Sequence, residues 1–123
     1  MTDGPIIRRA DREPFTTKDG SLVTELVHPA FSAATEGQSV AEAVVPAGGE
    51  TIAHRHHRSE EIYVFTAGSG RMTLAGETFA VAAGDAVVIP PGTRHKLYAG
   101  AEPLVLLCVC APSYSDEDTE LLE

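Results

Sequence analysis

The sequence predicts an all-β fold, a sandwich or barrel built from short strands. From residue 38 onward, short runs rich in β-branched and aromatic residues alternate with turns that contain glycine and proline. No segment of this region carries the apolar period of a long helix. Many short strands separated by such turns are typical of an all-β domain. The predicted strands cover residues 39–45, 51–56, 61–67, 71–74, 77–81, 86–89, 96–99 and 104–110.

A β-hairpin is predicted ahead of this region. Asp19-Gly20 is a turn signal, and it separates two strand-like runs at residues 15–17 and 22–27. Such a dipeptide between two runs of strand formers favours a hairpin over a longer connection.

The domain organisation follows from these elements. Residues 1–14 are polar and lack a clear period, so they are predicted to form a partly ordered N-terminal arm. The β-barrel domain is expected to span residues 15–112, followed by an acidic C-terminal tail over 113–123. The tail holds the one helix candidate, because the segment from Ser115 to Asp118 resembles a capping box with an acidic first turn.

Composition and charge limit the classes of partner. The 123 residues suffice for one domain with a buried core. The net charge of −9 and the pI of about 4.9 argue against nucleic acid and anionic membrane surfaces, since both need a basic face. No apolar run approaches the roughly 20 residues of a membrane helix, and the N-terminus lacks a signal-peptide pattern. The expected location is the cytoplasm.

The stretch from Gly48 to Gly68 holds most of the candidate metal ligands. It contains three of the five histidines and two adjacent glutamates. Side chains two residues apart in a strand lie on the same face, so His54 and His56 are expected to point together. Glu61 begins the next predicted strand, and its side chain comes close to the two histidines if the chain turns at Arg58-Ser59. Two imidazoles and one carboxylate form the ligand set of a non-haem metal centre, although a His-x-His pair alone is a weak signal.

A second block follows a predicted strand and a Pro-Pro-Gly turn, and together the two blocks resemble the paired signature of the cupin superfamily. The first block has a glycine, a His-x-His pair after five residues, a glutamate after four more and a glycine after another six. The second block has a glycine, a Pro-x-Gly turn after five residues and a histidine after two more. The matching residues are Gly48, His54, His56, Glu61 and Gly68 in the first block, and Gly84, Pro90, Gly92 and His95 in the second.

The resemblance is to small single-domain cupins of the cupin 2 type, and it implies a jelly-roll β-barrel that binds one divalent transition metal per chain. It implies that His54, His56, Glu61 and His95 are the ligands. A mixed N/O site suits Fe, Mn, Co, Ni or Zn, and the ligand types do not choose among them. The family pattern often has an asparagine where this chain has Ala99. Because that asparagine is not a ligand, its absence leaves the expectation of a metal unchanged.

Several neighbours of these ligands have two interpretations each. Tyr63 shares strand parity with Glu61 and is the one candidate for a catalytic acid, base or substrate anchor, with a packed core tyrosine as the alternative. Glu60 competes for the ligand position, but the spacing selects Glu61 and leaves Glu60 as a solvated or supporting carboxylate. By strand parity, His57 is expected to point away from His56.

The remaining candidates are expected to be structural or exposed. Cys108 and Cys110 share one face of a predicted strand, and two small buried core residues are favoured over a redox or metal pair. Arg55 and Arg58 are expected at the solvated surface. His28 is expected at the end of a strand.

The first functional hypothesis is a metal-dependent enzyme that acts on a small organic molecule, because the full ligand set is present. Fe(II)-dependent oxygenase or dioxygenase chemistry is slightly favoured, since a His/carboxylate set with open positions suits dioxygen, and metal-assisted isomerase, cyclase or lyase chemistry is close behind. The alternative is a non-catalytic small-molecule binding or sensor module, because one fold serves many functions. By resemblance we also expect a homodimer, formed through the outlying strands near residues 6–27.

Overall fold

The computed structural model describes residues 5–32 and 35–123; residues 1–4 of the predicted N-terminal arm and residues 33–34 of the predicted barrel lie outside this description. The described residues form eleven β-strands and a short 3-10 helix at Arg9–Asp11. Each predicted strand is present, with ends that agree within three residues. The strands are β1 (Phe15–Thr16), β2 (Leu22–Val27), β3 (Ser39–Val45), β4 (His54–His56), β5 (Glu60–Ala67), β6 (Ser69–Leu74), β7 (Glu77–Ala82), β8 (Ala86–Ile89), β9 (His95–Ala99), β10 (Leu104–Ala111) and β11 (Thr119–Leu121).

The strands form two antiparallel sheets. One sheet has six strands in the order β1-β2-β3-β10-β5-β8, and the other has five in the order β11-β4-β9-β6-β7. Strands distant in sequence are neighbours, as β3 and β10 are, because the chain crosses repeatedly between the sheets. This arrangement is a jelly-roll barrel, which confirms the all-β prediction.

The predicted hairpin is present as β1 and β2, with Phe15 opposite Val23. Gly20 lies in its turn with φ of +92°, a conformation that residues with a side chain rarely adopt. The N–H of Thr17 donates to the carbonyl oxygen of Ser21 at 3.0 Å and closes the turn. The Asp19-Gly20 signal therefore predicted the hairpin correctly.

Strand β4 is shorter than predicted, because residues 51–53 run beside β9 without joining the regular ladder. The N–H of Thr51 donates to the carbonyl oxygen of Leu97 at 3.0 Å. The N–H of Leu97 donates in turn to the Thr51 hydroxyl oxygen at 2.9 Å. The threonine side chain thus replaces a backbone acceptor at this point.

The C-terminal tail, where a helix was a candidate, forms strand β11 instead. The cap-like hydrogen bond exists, since the N–H of Asp118 donates to the Ser115 hydroxyl at 3.2 Å. The next residues leave the turn and pair with β4, with Thr119 opposite His56. Pairing with the edge of the five-stranded sheet satisfies more backbone groups than a single helical turn would.

The interior between the sheets is apolar, with a group of buried polar side chains set into it. Phe65, Met72 and Leu104 are among the largest buried side chains. Three histidines and a glutamate are equally buried. Burial of such groups is costly unless each has a partner, so their contacts decide what this part of the barrel does. No helix in the described residues is long and apolar enough to cross a membrane.

Candidate metal centre

Both sheets contribute to the cluster of His54, His56, Glu61 and His95. His54 and His56 are alternate residues of β4 and both point inward, while Arg55 between them is only partly buried. His95 begins β9 directly opposite His54 in the ladder. Glu61 comes from β5 in the facing sheet. The structure therefore brings together the four residues that the two sequence blocks single out.

The separations within this cluster suit a single ion. The ligand atoms all lie within 4.8 Å of one another. Oε1 of Glu61 is 3.0 Å from Nε2 of His56 and 3.4 Å from Nε2 of His95. Two ligand atoms about 2.1 Å from one ion lie about 3.0 Å apart at a right angle and about 3.4 Å apart at a tetrahedral angle. Both distances are those of adjacent ligands.

Two of the imidazoles are oriented by backbone carbonyl groups. Nδ1 of His54 lies 2.9 Å from the carbonyl oxygen of Ile52, and Nδ1 of His95 lies 2.9 Å from that of Thr93. Since a carbonyl oxygen only accepts, each Nδ1 must carry the proton. In the neutral imidazole Nε2 then presents a lone pair to the centre, as a metal ligand does.

His56 is oriented by a side chain from the C-terminal tail. Its Nδ1 lies 2.9 Å from the Thr119 hydroxyl oxygen. That hydroxyl donates its own proton to the carbonyl oxygen of Ser115 at 2.9 Å, so it accepts from His56. The third Nε2 lone pair thus also faces the cluster.

The cluster fits a metal ion. The His95 side chain is 0% exposed, and its Nε2 has no hydrogen-bond partner among the described residues. Nε2 of His56 faces a carboxylate oxygen of Glu61 at 3.0 Å with a lone pair on each atom. Buried acceptors in this arrangement are unfavourable unless a cation lies between them. His54, His56, Glu61 and His95 could hold that cation.

The protonation states favour ligation. Burial alone would raise the pKa of Glu61, but hydrogen bonds and charge from the His56 and His95 imidazoles in their protonated form, a role that a bound cation would take over, lower it to about 2. Burial and the neighbouring His95 lower the pKa of His54. At neutral pH the carboxylate is therefore ionised and the His54 imidazole is neutral, which are the forms that bind a metal.

A cavity of about 60 Å³ lies against the cluster. His54, His56 and Glu61 line it, whereas His95 is not among its lining residues and sits behind the other ligands. Much of the remaining wall consists of apolar side chains from β2, β3 and β10. The cavity is open to solvent, so a bound molecule can extend through its mouth.

Tyr63 lines the same cavity and is 3% exposed. None of the described residues hydrogen-bonds to its hydroxyl group. Burial, with Glu61 and Cys108 nearby, raises its pKa well above the ordinary value. The hydroxyl therefore stays protonated and is free to donate to a bound molecule.

Three residues of the site were not assigned to it from the sequence. Thr119 supports His56, and no local pattern marks it for that role. Asp19, predicted only as a turn residue, places Oδ2 at 3.8 Å from Nε2 of His54. Cys110 was interpreted as a core residue, and it is buried, but its Sγ also donates to Oε2 of Glu61 at 3.3 Å. Each of these contacts joins segments far apart in sequence or across a turn.

The other candidates lie away from the centre. His57 points outward, as predicted, and its side chain is 50% exposed beside Glu120. Glu60 and Arg58 are exposed. His28 directly follows β2, and its Nε2 lies 2.8 Å from the carbonyl oxygen of Tyr114 at the cavity wall.

The chain belongs to the cupin family. The family model of the cupin domain matches residues 41–110. The uncharacterized protein MJ1618 of Methanocaldococcus jannaschii is 50% identical over 112 residues, which cover 90% of this chain and 89% of that protein.

Two solved structures illustrate the fold. A single-residue variant of PAC13 from Streptomyces, in complex with uridine, aligns with a TM-score of 0.80 at 20% identity, and the alignment covers 98% of this chain and 92% of that one. The polyketide cyclase RemF from Streptomyces resistomycificus aligns with a TM-score of 0.80 at 20% identity and covers 98% and 86%. At this identity the similarity shows the shared fold.

We expect Thr119→Val to weaken binding of a divalent ion by this cluster about 10–100-fold, the usual effect of losing a group that orients a ligand. Valine nearly preserves the shape but leaves the His56 Nδ1 proton without an acceptor. Competition with a chromophoric chelator for Zn²⁺ measures the change. Thr119→Ser keeps the hydroxyl and should stay close to wild type. Equal affinity of the valine variant and wild type would contradict the role of Thr119.

Proposed function

We propose that this chain is a mononuclear divalent-metal enzyme that acts on a small organic molecule by proton transfer, in the isomerase, cyclase or lyase class. One observation carries the proposal: three imidazoles and one ionised carboxylate have ligand atoms within 4.8 Å of one another, beside a cavity that Tyr63 also lines. Such a donor set suits Fe, Mn, Co, Ni or Zn. His54, His56, Glu61 and His95 are its proposed ligands.

The proposed chemistry depends on the four candidate ligands, the Tyr63 hydroxyl and the wall of the cavity. His54, His56, Glu61 and His95 would hold a divalent ion, which would supply Lewis acidity towards a carbonyl or hydroxyl oxygen of the substrate. Tyr63, kept protonated by its raised pKa, donates a hydrogen bond to negative charge that develops on the substrate. The apolar side chains on part of the wall lower the local dielectric constant, which makes both interactions stronger than they are in bulk water.

The reactions of two proteins that share this fold favour the proposed class by analogy of fold. PAC13 is a nucleoside dehydratase, and RemF is a polyketide cyclase. Dehydration and cyclisation rearrange protons and bonds without net oxidation, as the proposed class does.

Two alternatives make different predictions. An Fe(II) oxygenase is favoured by the His/carboxylate donor set itself, and it would consume dioxygen with its substrate. A binding or sensor module would hold the metal and a small ligand without turnover.

The metal is tested first by elemental analysis of protein purified without chelator or affinity metal. We expect about one divalent ion per chain in the wild-type protein and a large loss in His95→Ala, which removes a buried ligand. His57→Ala is the matched control, because its exposed ring lies outside the cluster and metal content should not change. Full occupancy in His95→Ala would contradict the ligand assignment.

Turnover is tested with metal-loaded protein in D₂O, without oxygen, on a panel of small hydroxy ketones and aldehydes. We expect deuterium to enter beside the carbonyl group by NMR, and Tyr63→Phe to slow this about 100-fold at unchanged metal content, as loss of a hydrogen bond to developing charge does. Tyr98→Phe, on a partly exposed tyrosine of β9, is the control. Oxygen consumption in place of exchange would favour the oxygenase, and neither reaction would favour the binding module.

We also propose that the chain forms a homodimer through the β1 edge of the six-stranded sheet. Phe15 on β1 and Leu22 on β2 are 42% and 44% exposed, and an uncovered edge strand tends to pair. Light scattering at micromolar concentration should give the mass of a dimer, and the double variant Phe15→Glu, Leu22→Glu should give a monomer. Val88→Glu, at the opposite edge, should remain dimeric. A wild-type monomer would refute the proposal.

A further inference from the structure

Asp19 lies on the cavity side of the candidate metal centre. Its carboxylate is not one of the four proposed ligands. It lies in the turn between β1 and β2, and its side chain is 15% exposed. Its Oδ2 is 3.8 Å from Nε2 of His54. It lines the same cavity as His54, His56 and Glu61.

The two oxygens of this carboxylate have different surroundings. Oδ1 accepts three hydrogen bonds: from the Thr17 hydroxyl at 2.8 Å, from the Ser21 N–H at 2.9 Å and from the Ser21 hydroxyl at 2.7 Å. Within the described residues all of the hydrogen bonds to Asp19 side-chain oxygens end on Oδ1. The rotamer is thereby fixed, and Oδ2 is presented to the cavity with its lone pairs free.

The turn itself is anchored to the elements that carry the ligands. The N–H of Ile52, two residues before His54, donates to the Asp19 carbonyl oxygen at 2.7 Å. The ammonium group of Lys18 donates to the carbonyl oxygen of Thr119 at 2.7 Å. Thr119 is the residue that orients His56, so the turn that holds Asp19 is hydrogen-bonded to the segments that position both imidazoles.

His54 does not donate a hydrogen bond to Oδ2 of Asp19. Its Nδ1 proton is donated to the Ile52 carbonyl oxygen, so Nε2 carries a lone pair and has no proton to donate to Asp19. Two acceptors therefore face each other across 3.8 Å, beyond hydrogen-bond distance. A cation bound at Nε2 and a molecule beside it that donates a proton to Oδ2 would together satisfy the two acceptors.

The net charge of the metal centre and Asp19 indicates which kind of molecule binds beside them. A divalent ion with three neutral imidazoles and the Glu61 carboxylate carries a net charge of +1, and Asp19 reduces the sum to zero. An anionic ligand on the open side would meet the Asp19 carboxylate, whereas a neutral hydroxyl group would donate to it and form a charge-assisted hydrogen bond.

We propose that Asp19 positions the substrate on the open side of the centre by accepting a hydrogen bond from a substrate hydroxyl group. The substrate class is a small neutral molecule that carries a hydroxyl beside a metal-binding oxygen, as in an α-hydroxy ketone. This inference rests on the proposed function, since it needs the four ligands to hold a metal.

The experiment uses the full chain loaded with Co²⁺, whose visible spectrum reports ligands entering the inner coordination sphere. Hydroxyacetone is the neutral hydroxylated probe, and azide is the anionic probe without a hydroxyl donor. Asp19→Asn is the informative variant, because the amide oxygen still accepts from Ser21 at Oδ1 while the amide nitrogen replaces the acceptor Oδ2. Asp85→Asn is the matched control, because Asp85 also accepts from a backbone N–H in a turn, that of Ala82, away from the cavity.

We expect Asp19→Asn to bind hydroxyacetone about tenfold more weakly, the effect of losing one hydrogen bond to a charged group. The same variant should bind azide about three- to tenfold more tightly, because the repelling charge is gone. If Asp19 had only a structural role, the substitution would weaken the binding of both probes. Asp85→Asn should match wild type for both. Thr17→Val keeps the carboxylate but removes one hydrogen-bond donor to Oδ1. Its affinity for hydroxyacetone should lie between those of wild type and Asp19→Asn.

The outcomes separate this inference from the proposed function. A wild-type chain that binds no Co²⁺ would overturn both. A chain that binds Co²⁺, with the ratio of the two affinities unchanged in Asp19→Asn, would overturn the role of Asp19 and leave the metal centre standing. A Co²⁺-loaded wild-type protein that binds azide but not hydroxyacetone would overturn the substrate class.

Discussion

The orientation of three buried imidazoles is the constraint on which the rest of the site depends. Each Nδ1 proton is taken by an acceptor outside the cluster: the Ile52 carbonyl, the Thr93 carbonyl and the Thr119 hydroxyl. Every Nε2 lone pair is therefore directed towards one point, beside an ionised Glu61. A cation between these buried groups would compensate them, and this connects the fold to metal binding.

The cluster of candidate ligands could be predicted from the sequence because two motifs mark its members. Alternation along β4 places His54 and His56 on one face, and the resemblance of the two blocks to the cupin signature adds Glu61 and His95. The supporting contacts could not be predicted in this way. Thr119 meets His56 from 63 residues away. Asp19 reaches the site only because its turn bonds to the segment before β4, which no periodicity in either segment encodes.

The same limit explains the differences in secondary structure. Residues 51–53 have strand-forming composition, yet the Thr51 side chain replaces a backbone bond and β4 begins later. The tail has helix-start chemistry that does form, but the open edge of β4 captures the following residues as β11. In both places a tertiary partner overrode a local preference, and in both places the result supports the metal centre.

X-ray absorption spectroscopy at the edge of the metal that co-purifies with the chain identifies the atoms bound to that metal. If His54, His56, Glu61 and His95 hold it, we expect an inner coordination sphere of nitrogen and oxygen atoms, with the outer scattering pattern of three imidazole rings. A sphere with no imidazole scattering, or one that contains sulfur from Cys110, would contradict this assignment.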